Sequence, residues 1–173
     1  SPTLDGKMDA VYKNSEAVLV NNTHTKGADF ATYFVVALDG LYVFSNINDS
    51  TVNVVAEAEC GPGSGDKAQV YMQVSNTVSG STTYASGYFD CDYAHDSSAQ
   101  NSNVKSKSQI VAGGYTIEIF VPWSIWSILS GGVSLENTQV YVGFQVNNYT
   151  LEGTNTGLVY DNPATGSYWA QSY

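Results

Sequence analysis

Ile110-Val111-Ala112-Gly113-Gly114-Tyr115-Thr116-Ile117-Glu118-Ile119-Phe120-Val121-Pro122-Trp123-Ser124-Ile125-Trp126 is the stretch whose reading decides the fold. The Gly113-Gly114 pair separates two runs of alternating polarity, the pattern of a β-hairpin whose turn needs positive φ. After the turn Tyr115, Ile117, Ile119 and Val121 share one face, with Thr116, Glu118 and Phe120 on the other. Such a strand is buried mainly on one side. Pro122 cannot donate to a ladder, so the strand ends there. Ser124 is then placed to cap one helical turn carrying Ile125, Ile128 and Leu129. The stretch reads as the central hairpin of an all-β domain.

Working outward, the same signals recur. Ala31 to Leu38 is almost wholly apolar and meets Leu41 to Ile47 across an Asp39-Gly40 turn, which predicts a second hairpin in the middle of a sheet. Val70, Met72 and Val74 alternate with Gln69, Tyr71 and Gln73. Val140, Val142, Phe144 and Val146 alternate with Tyr141, Gly143, Gln145 and Asn147. Both segments are half-buried strands with a polar outer face. Tyr84, Tyr88, Phe89 and Tyr93 lie in a segment that reads as a strand pair or as a strand with a bulge at Gly87. Near the start, Asp5-Gly6 marks a turn, followed by a short helical turn and a strand at Glu16 to Val20. Gly61 to Asp66 is a flexible loop, Ala94 to Lys107 a polar one, and the tail from Asn148 loop-like with several large rings. The expected architecture is all-β, an antiparallel jelly-roll-like β-sandwich with at most one or two short helical turns, in a single domain spanning 1–173.

Composition bounds the function. Charged residues make up only 13% of the 173, and sixteen acidic against six basic residues give a formal net charge of −10. That balance repels nucleic acid and anionic membrane surfaces, and no apolar run is long enough to span a bilayer. The Gly, Ser, Thr, Asn and Tyr richness points to a secreted or cell-surface protein, with any targeting segment upstream of Ser1. Cys60 and Cys91 are too few for a zinc site and are expected to form one disulfide, the alternative being two separate buried thiols.

Catalysis is not legible. His24 and His95 both sit in polar loops, no nucleophile elbow is present, and nothing in the sequence brings Glu118 and Asp90 together as a working carboxylate pair. A haem-binding sandwich would take Met72 and His95 as axial ligands, but Met72 belongs to an apolar row. A row of amides around an aromatic, Gln69, Tyr71 and Gln73, suits stacking on a sugar ring and bonding its hydroxyls. An ordinary wet sheet face has the same pattern.

Four motifs in chain order carry a resemblance. Leu4-Asp5-Gly6-Lys7-Met8-Asp9-Ala10-Val11-Tyr12, Leu41-Tyr42-Val43, Gly113 to Glu118 with Val121-Pro122-Trp123, and Val142-Gly143-Phe144 together resemble family 9 carbohydrate-binding modules. The resemblance implies a non-catalytic β-sandwich that binds neutral β-glycans, xylan first and cellulose-type β-glucan second. It would serve as a module of a larger glycoside hydrolase, targeting it to plant cell-wall polysaccharide. It also implies structural calcium, for which Asp5, Asp9 and Asp161 are the candidate ligands. In that family two tryptophans clamp a terminal sugar. Trp169 matches the second, but Pro62, Gly63, Ser64 and Gly65 stand where the first would be. Gln69 matches an acidic position of the family and Asn147 an amide position, while Trp123 matches the family's core and Trp126 is expected to pack with it. Tyr71, Tyr84 and Tyr168 are the candidate replacement platforms, with Gln73 as a further hydroxyl partner. A structural or adhesive surface domain without sugar binding is the competing reading.

Overall fold

The computed structural model describes residues 1–14, 18–20, 28–50, 66–129, 137–149, 155–160 and 171–172. Two antiparallel sheets pack face to face. Sheet one runs in the order β1 (Val18–Val20), β2 (Ala28–Val36), β3 (Gly40–Asp49), β7 (Gly114–Pro122), β6 (Lys105–Val111). Sheet two places β8 (Thr138–Tyr149) beside β4 (Lys67–Val78), and β4 beside β5 (Ser81–Asp92). The free edge of β8 takes β9 (Asn155–Tyr160) at one end and the short β10 (Gln171–Ser172) at the other.

Both expected hairpins form, and β2 and β3 are interior strands of sheet one. The two glycines of the central hairpin act differently. The turn residues are Ala112 and Gly113, and Gly113 supplies the positive φ of 81°. Gly114 is already the first residue of β7, opposite Asn48, where a Cβ would come within 1.9 Å of the Ile47 carbonyl oxygen. Close backbone approach, not turn geometry, requires glycine there.

Alternation sets the core. Val43, Ile47, Tyr115, Ile117, Ile119 and Val121 from sheet one meet Val70, Met72, Val74, Val142, Phe144 and Val146 from sheet two, all fully or almost fully buried. Phe30 and Phe144 bridge the sheets edge to face, 4.9 Å between centroids. Trp126 closes one end against Phe89 at 5.9 Å, and Trp123 donates its indole N–H to the Ala37 carbonyl at 2.9 Å. Each buried aromatic of this kind contributes on the order of 2 to 3 kcal/mol by burial alone.

Several sequence expectations are corrected. Pro122, whose side chain makes no capping bond, precedes a 3-10 turn at Trp123–Ile125, so Ser124 is not the cap; a second turn follows at Ser127–Leu129. The Tyr84 to Tyr93 segment is neither a strand pair nor a bulged strand: β5 runs through it in unbroken register to Asp92, and Gly87 faces the Trp126 ring. The polar loop after β5 ends earlier than expected, because Lys105 already belongs to β6. The tail is not all loop, since β9 and β10 extend sheet two. The expected bond to Cys60 is not formed in this structure: Cys91 faces the core as a free thiol, and burial pushes its pKa up to about 12. Cys60 lies outside the described residues, as does Val52 to Glu59.

Candidate functional site

The alternation that turns Val70, Met72 and Val74 inward turns Gln69, Tyr71 and Gln73 onto the outer face of sheet two. Because β4 is central, each of these has a neighbour on both sides. Gln69 lies between Asp90 and Gln145, Tyr71 between Tyr88 and Gly143, and Gln73 between Ser86 and Tyr141. Ser75 aligns with Tyr84, and Lys67 with Asn147. Directly opposed side chains stand about 4.5 to 5.5 Å apart at Cβ. The face is therefore a band of tyrosines at one end and a band of amides at the other.

The amide band is built around Asp90, which is only 6% exposed. Gln69 donates to Asp90 Oδ1 at 2.7 Å, and Gln100 donates to Asp90 Oδ2 at 2.8 Å. The Lys67 ammonium stands 3.4 Å from the same Oδ2, and Gln145 donates to the Gln69 carbonyl oxygen. Gln100 is held in turn, its carbonyl oxygen accepting the Asp90 N–H at 2.6 Å and the Ser98 hydroxyl at 3.0 Å. A buried carboxylate with several donors is the arrangement that makes burial of its charge tolerable.

This network changes the role of Gln69. Its carbonyl oxygen and one N–H are already engaged, so it serves as a link between Asp90 and Gln145. The acceptors left over are Gln145 Oε1 and Asn147 Oδ1, which have no hydrogen-bond partner among the described residues although Gln145 and Asn147 are only 5% and 8% exposed. An unmet buried acceptor is costly, on the order of 1 to 3 kcal/mol, and a ligand hydroxyl would meet it. Asn147 was singled out from the sequence. Gln145 was missed as a site residue, and the available signal was its place in the polar row of β8.

The tyrosine band is open. Tyr88 is 49% and Tyr84 65% exposed, Tyr71 is half-buried directly opposite Tyr88, and half-buried Tyr141 lies diagonally across from Tyr71. Gly143 places no side chain beside Tyr71. Exposed rings on a rigid sheet have C–H and hydroxyl-bearing partners to gain and little ordering entropy to lose. Trp169, Tyr168 and Asp161 lie outside the described residues.

Other candidates are kept apart by the fold. Glu118 is on the outer face of sheet one and Asp90 on that of sheet two, so they form no catalytic pair. Met72 is buried in the core, whereas His95 rests in the loop after β5 with Nδ1 2.8 Å from Asp92, so the two share no haem site. Asp5 Oδ1 accepts the Lys7 N–H and Asp9 Oδ2 the Thr3 N–H. Among the described residues no three acidic, histidine or cysteine side chains gather as a group. No helix of the described chain is long and apolar enough to cross a membrane.

Comparison with known proteins extends these observations. The family model described as "Carbohydrate family 9 binding domain-like" matches residues 4–173. The chain is similar to Exoglucanase XynX of Acetivibrio thermocellus, 27% identical over 178 residues, and to Endo-1,4-beta-xylanase A of Thermoanaerobacterium saccharolyticum, 28% identical over 181 residues. Each match covers 98% of this chain but only 15% and 14% of those proteins, so the chain spans a small part of their length. Its fold is similar to that of a family 9 carbohydrate-binding module from Caldicellulosiruptor kristjanssonii in complex with cellotriose, with a TM-score of 0.72, 16% identity, and 96% and 82% of the two chains covered. A structure of a family 9 module from the same organism in complex with glucose aligns with a TM-score of 0.66 at 14% identity, covering 99% and 90%.

Proposed function

This chain belongs to the family 9 carbohydrate-binding modules, a non-catalytic family, and on that premise we propose that it binds neutral β-linked glycans, xylan first and cellulose-type β-glucan second. The observation that carries the reading is the outer face of sheet two. There the tyrosine band supplies flat surfaces for the C–H faces of pyranose rings, and the buried acceptors of Gln145 and Asn147 supply partners for hydroxyls. Membership supports a sugar ligand. The cellotriose and glucose held by similar modules, and the xylanase and exoglucanase names of the relatives, support β-glycans as its class.

The open tyrosine band favours chain interiors over chain ends. With no aromatic among Pro62 to Gly65 to form a second wall, Trp169 and the tyrosines do the stacking. Each stacking contact contributes about 1 kcal/mol beyond its area, which places affinity between micromolar and millimolar. Because the matched enzymes are far longer than this chain, the proposal includes a secreted glycoside hydrolase that the module targets to plant cell-wall polysaccharide. It also includes a structural calcium, with Asp5, Asp9 or Asp161 as candidate ligands, and a chelator-induced fall in Tm is its readout.

The deciding measurement is calorimetric titration with soluble xylan and cellotriose against the parent chain and Trp169→Ala. Binding by the parent, lost or at least about tenfold weaker in the variant at unchanged Tm, is expected. A parent chain that binds neither glycan would leave a structural or adhesive domain as the better reading.

A further inference from the structure

The outer face of sheet one also carries a cavity, about 500 Å³, in the range of small-ligand sites. Its floor is the cross-strand row Ala31, Asn46 and Thr116, small on both sides of the asparagine. Tyr33 and Phe44, with rings 6.4 Å apart, wall one end, and Lys7 and Gln109 stand at the rim. Backbone geometry keeps the far end of the face bare, since a side chain at Gly114 would collide with Ile47.

Most polar groups around this cavity are already committed. Thr116 donates to the Gly6 carbonyl at 2.7 Å, Gln109 to the Asp5 carbonyl at 3.0 Å, and Asn48 to Asp29 at 2.7 Å. The exposed Asn46 amide, in the middle of the floor, engages no other described group, and neither does the Lys7 ammonium. A ring wall, a free amide carrying both donors and an acceptor, and one free ammonium donor form a site for a small polyhydroxylated ring. The net charge of −10 disfavours an anionic occupant.

We propose that this groove is a second, independent site for a short neutral saccharide, which makes the module bivalent, with one site on the outer face of each sheet. Tyr33 stacks on the ring, and Asn46 and Lys7 bond its hydroxyls. Two weak sites on opposite faces let one module engage two neighbouring chains of a polysaccharide, raising avidity without a stronger contact at either.

The test is a titration of the isotopically labelled full chain with xylotriose and with cellotriose, followed by amide chemical shifts. Two saturable sets are expected, one at Ala31, Asn46, Gln109 and Thr116, the other at Tyr71, Tyr88, Gln145 and Asn147. Asn46→Ala, at an exposed position, should weaken the first set about fivefold and leave the second unchanged. Ala31→Leu, which fills the floor, should remove the first set entirely. Shifts confined to sheet two, or a first set insensitive to both substitutions, would overturn the second site while sparing the proposed function. Shifts confined to the groove would do the reverse, and no shift with either sugar would sink both.

Discussion

Each sheet buries carboxylate on its outer face, and two of these groups, Glu118 and Asp90, are used in opposite ways. Glu118 of sheet one is fully buried and accepts the Asp5 N–H at 2.9 Å, the Gly6 N–H at 3.2 Å and the Tyr12 hydroxyl at 2.8 Å. All three donors come from the N-terminal segment, more than a hundred positions away in sequence. Asp90 of sheet two takes its side-chain donors, Gln69, Lys67 and Gln100, from its neighbouring strand and the loop that follows β5. A carboxylate that gathers distant backbone fastens one part of the chain over another. A carboxylate that gathers amide side chains aligns them and leaves their remaining polar atoms for something else.

The largest expected effect tests the fastening. Glu118→Ala should remove about 3 kcal/mol of stability, because two backbone donors and a buried tyrosine hydroxyl lose their acceptor together. Denaturant unfolding measures it, and saccharide binding on the sheet-two face, followed at Gln145 and Asn147, should not change. A variant as stable as the parent would show that the N-terminal segment is held by the Tyr12, Tyr42 and Phe44 cluster alone, and the contrast would fail.

Next in size is Asn147→Ala on the opposite face. Removing a buried acceptor that has no partner among the described residues should leave stability unchanged or raise it by up to about 1 kcal/mol, while xylan binding weakens about tenfold. Opposite signs for stability and binding are the mark of an atom kept for a ligand. A fall in stability instead would make Asn147 part of the scaffold.

A smaller effect comes from titration. Burial holds the Glu118 carboxyl above its ordinary 4.5, a rise that the hydrogen bonds from Tyr12, Asp5 and Gly6 only partly offset. A raised folded pKa means that the native state binds the proton more tightly. That contribution is complete below pH 4.5 and is lost as pH rises through the folded value. Glu118→Gln should flatten this slope in Tm against pH, and an unaltered slope would assign it to another group. The smallest effect concerns Cys91, whose thiol should resist alkylation in the native chain and react after denaturation without reductant. Finding no thiol in the denatured, unreduced chain would restore the bond to Cys60.

Much of the fold was legible because periodicity reports burial directly. The alternation of Tyr115 to Val121 and of Val70 to Val74 names the core, and Asp39-Gly40 and the Gly113 turn name the hairpins. Gln69, Tyr71, Gln73, Tyr84 and Asn147 share one face, which alternation anticipated for Gln69, Tyr71 and Gln73. The failures were of another kind. Gly87 reads as a bulge from its sequence neighbours but is spaced to face Trp126, and Gln145 reads as an ordinary polar strand residue.

By itself, then, the sequence determined the all-β class, the inward and outward rows of the strands named from alternation, and the family. Tertiary structure alone decided which rows became neighbours. It set Gln69 between Asp90 and Gln145, turned Glu118 into a fastening and Asp90 into an organiser, and placed Asn46 at the bottom of a groove. The physical reason is that side-chain direction along a strand follows from local backbone geometry. The neighbour that satisfies a buried polar group is fixed only by strand order and register across the whole chain.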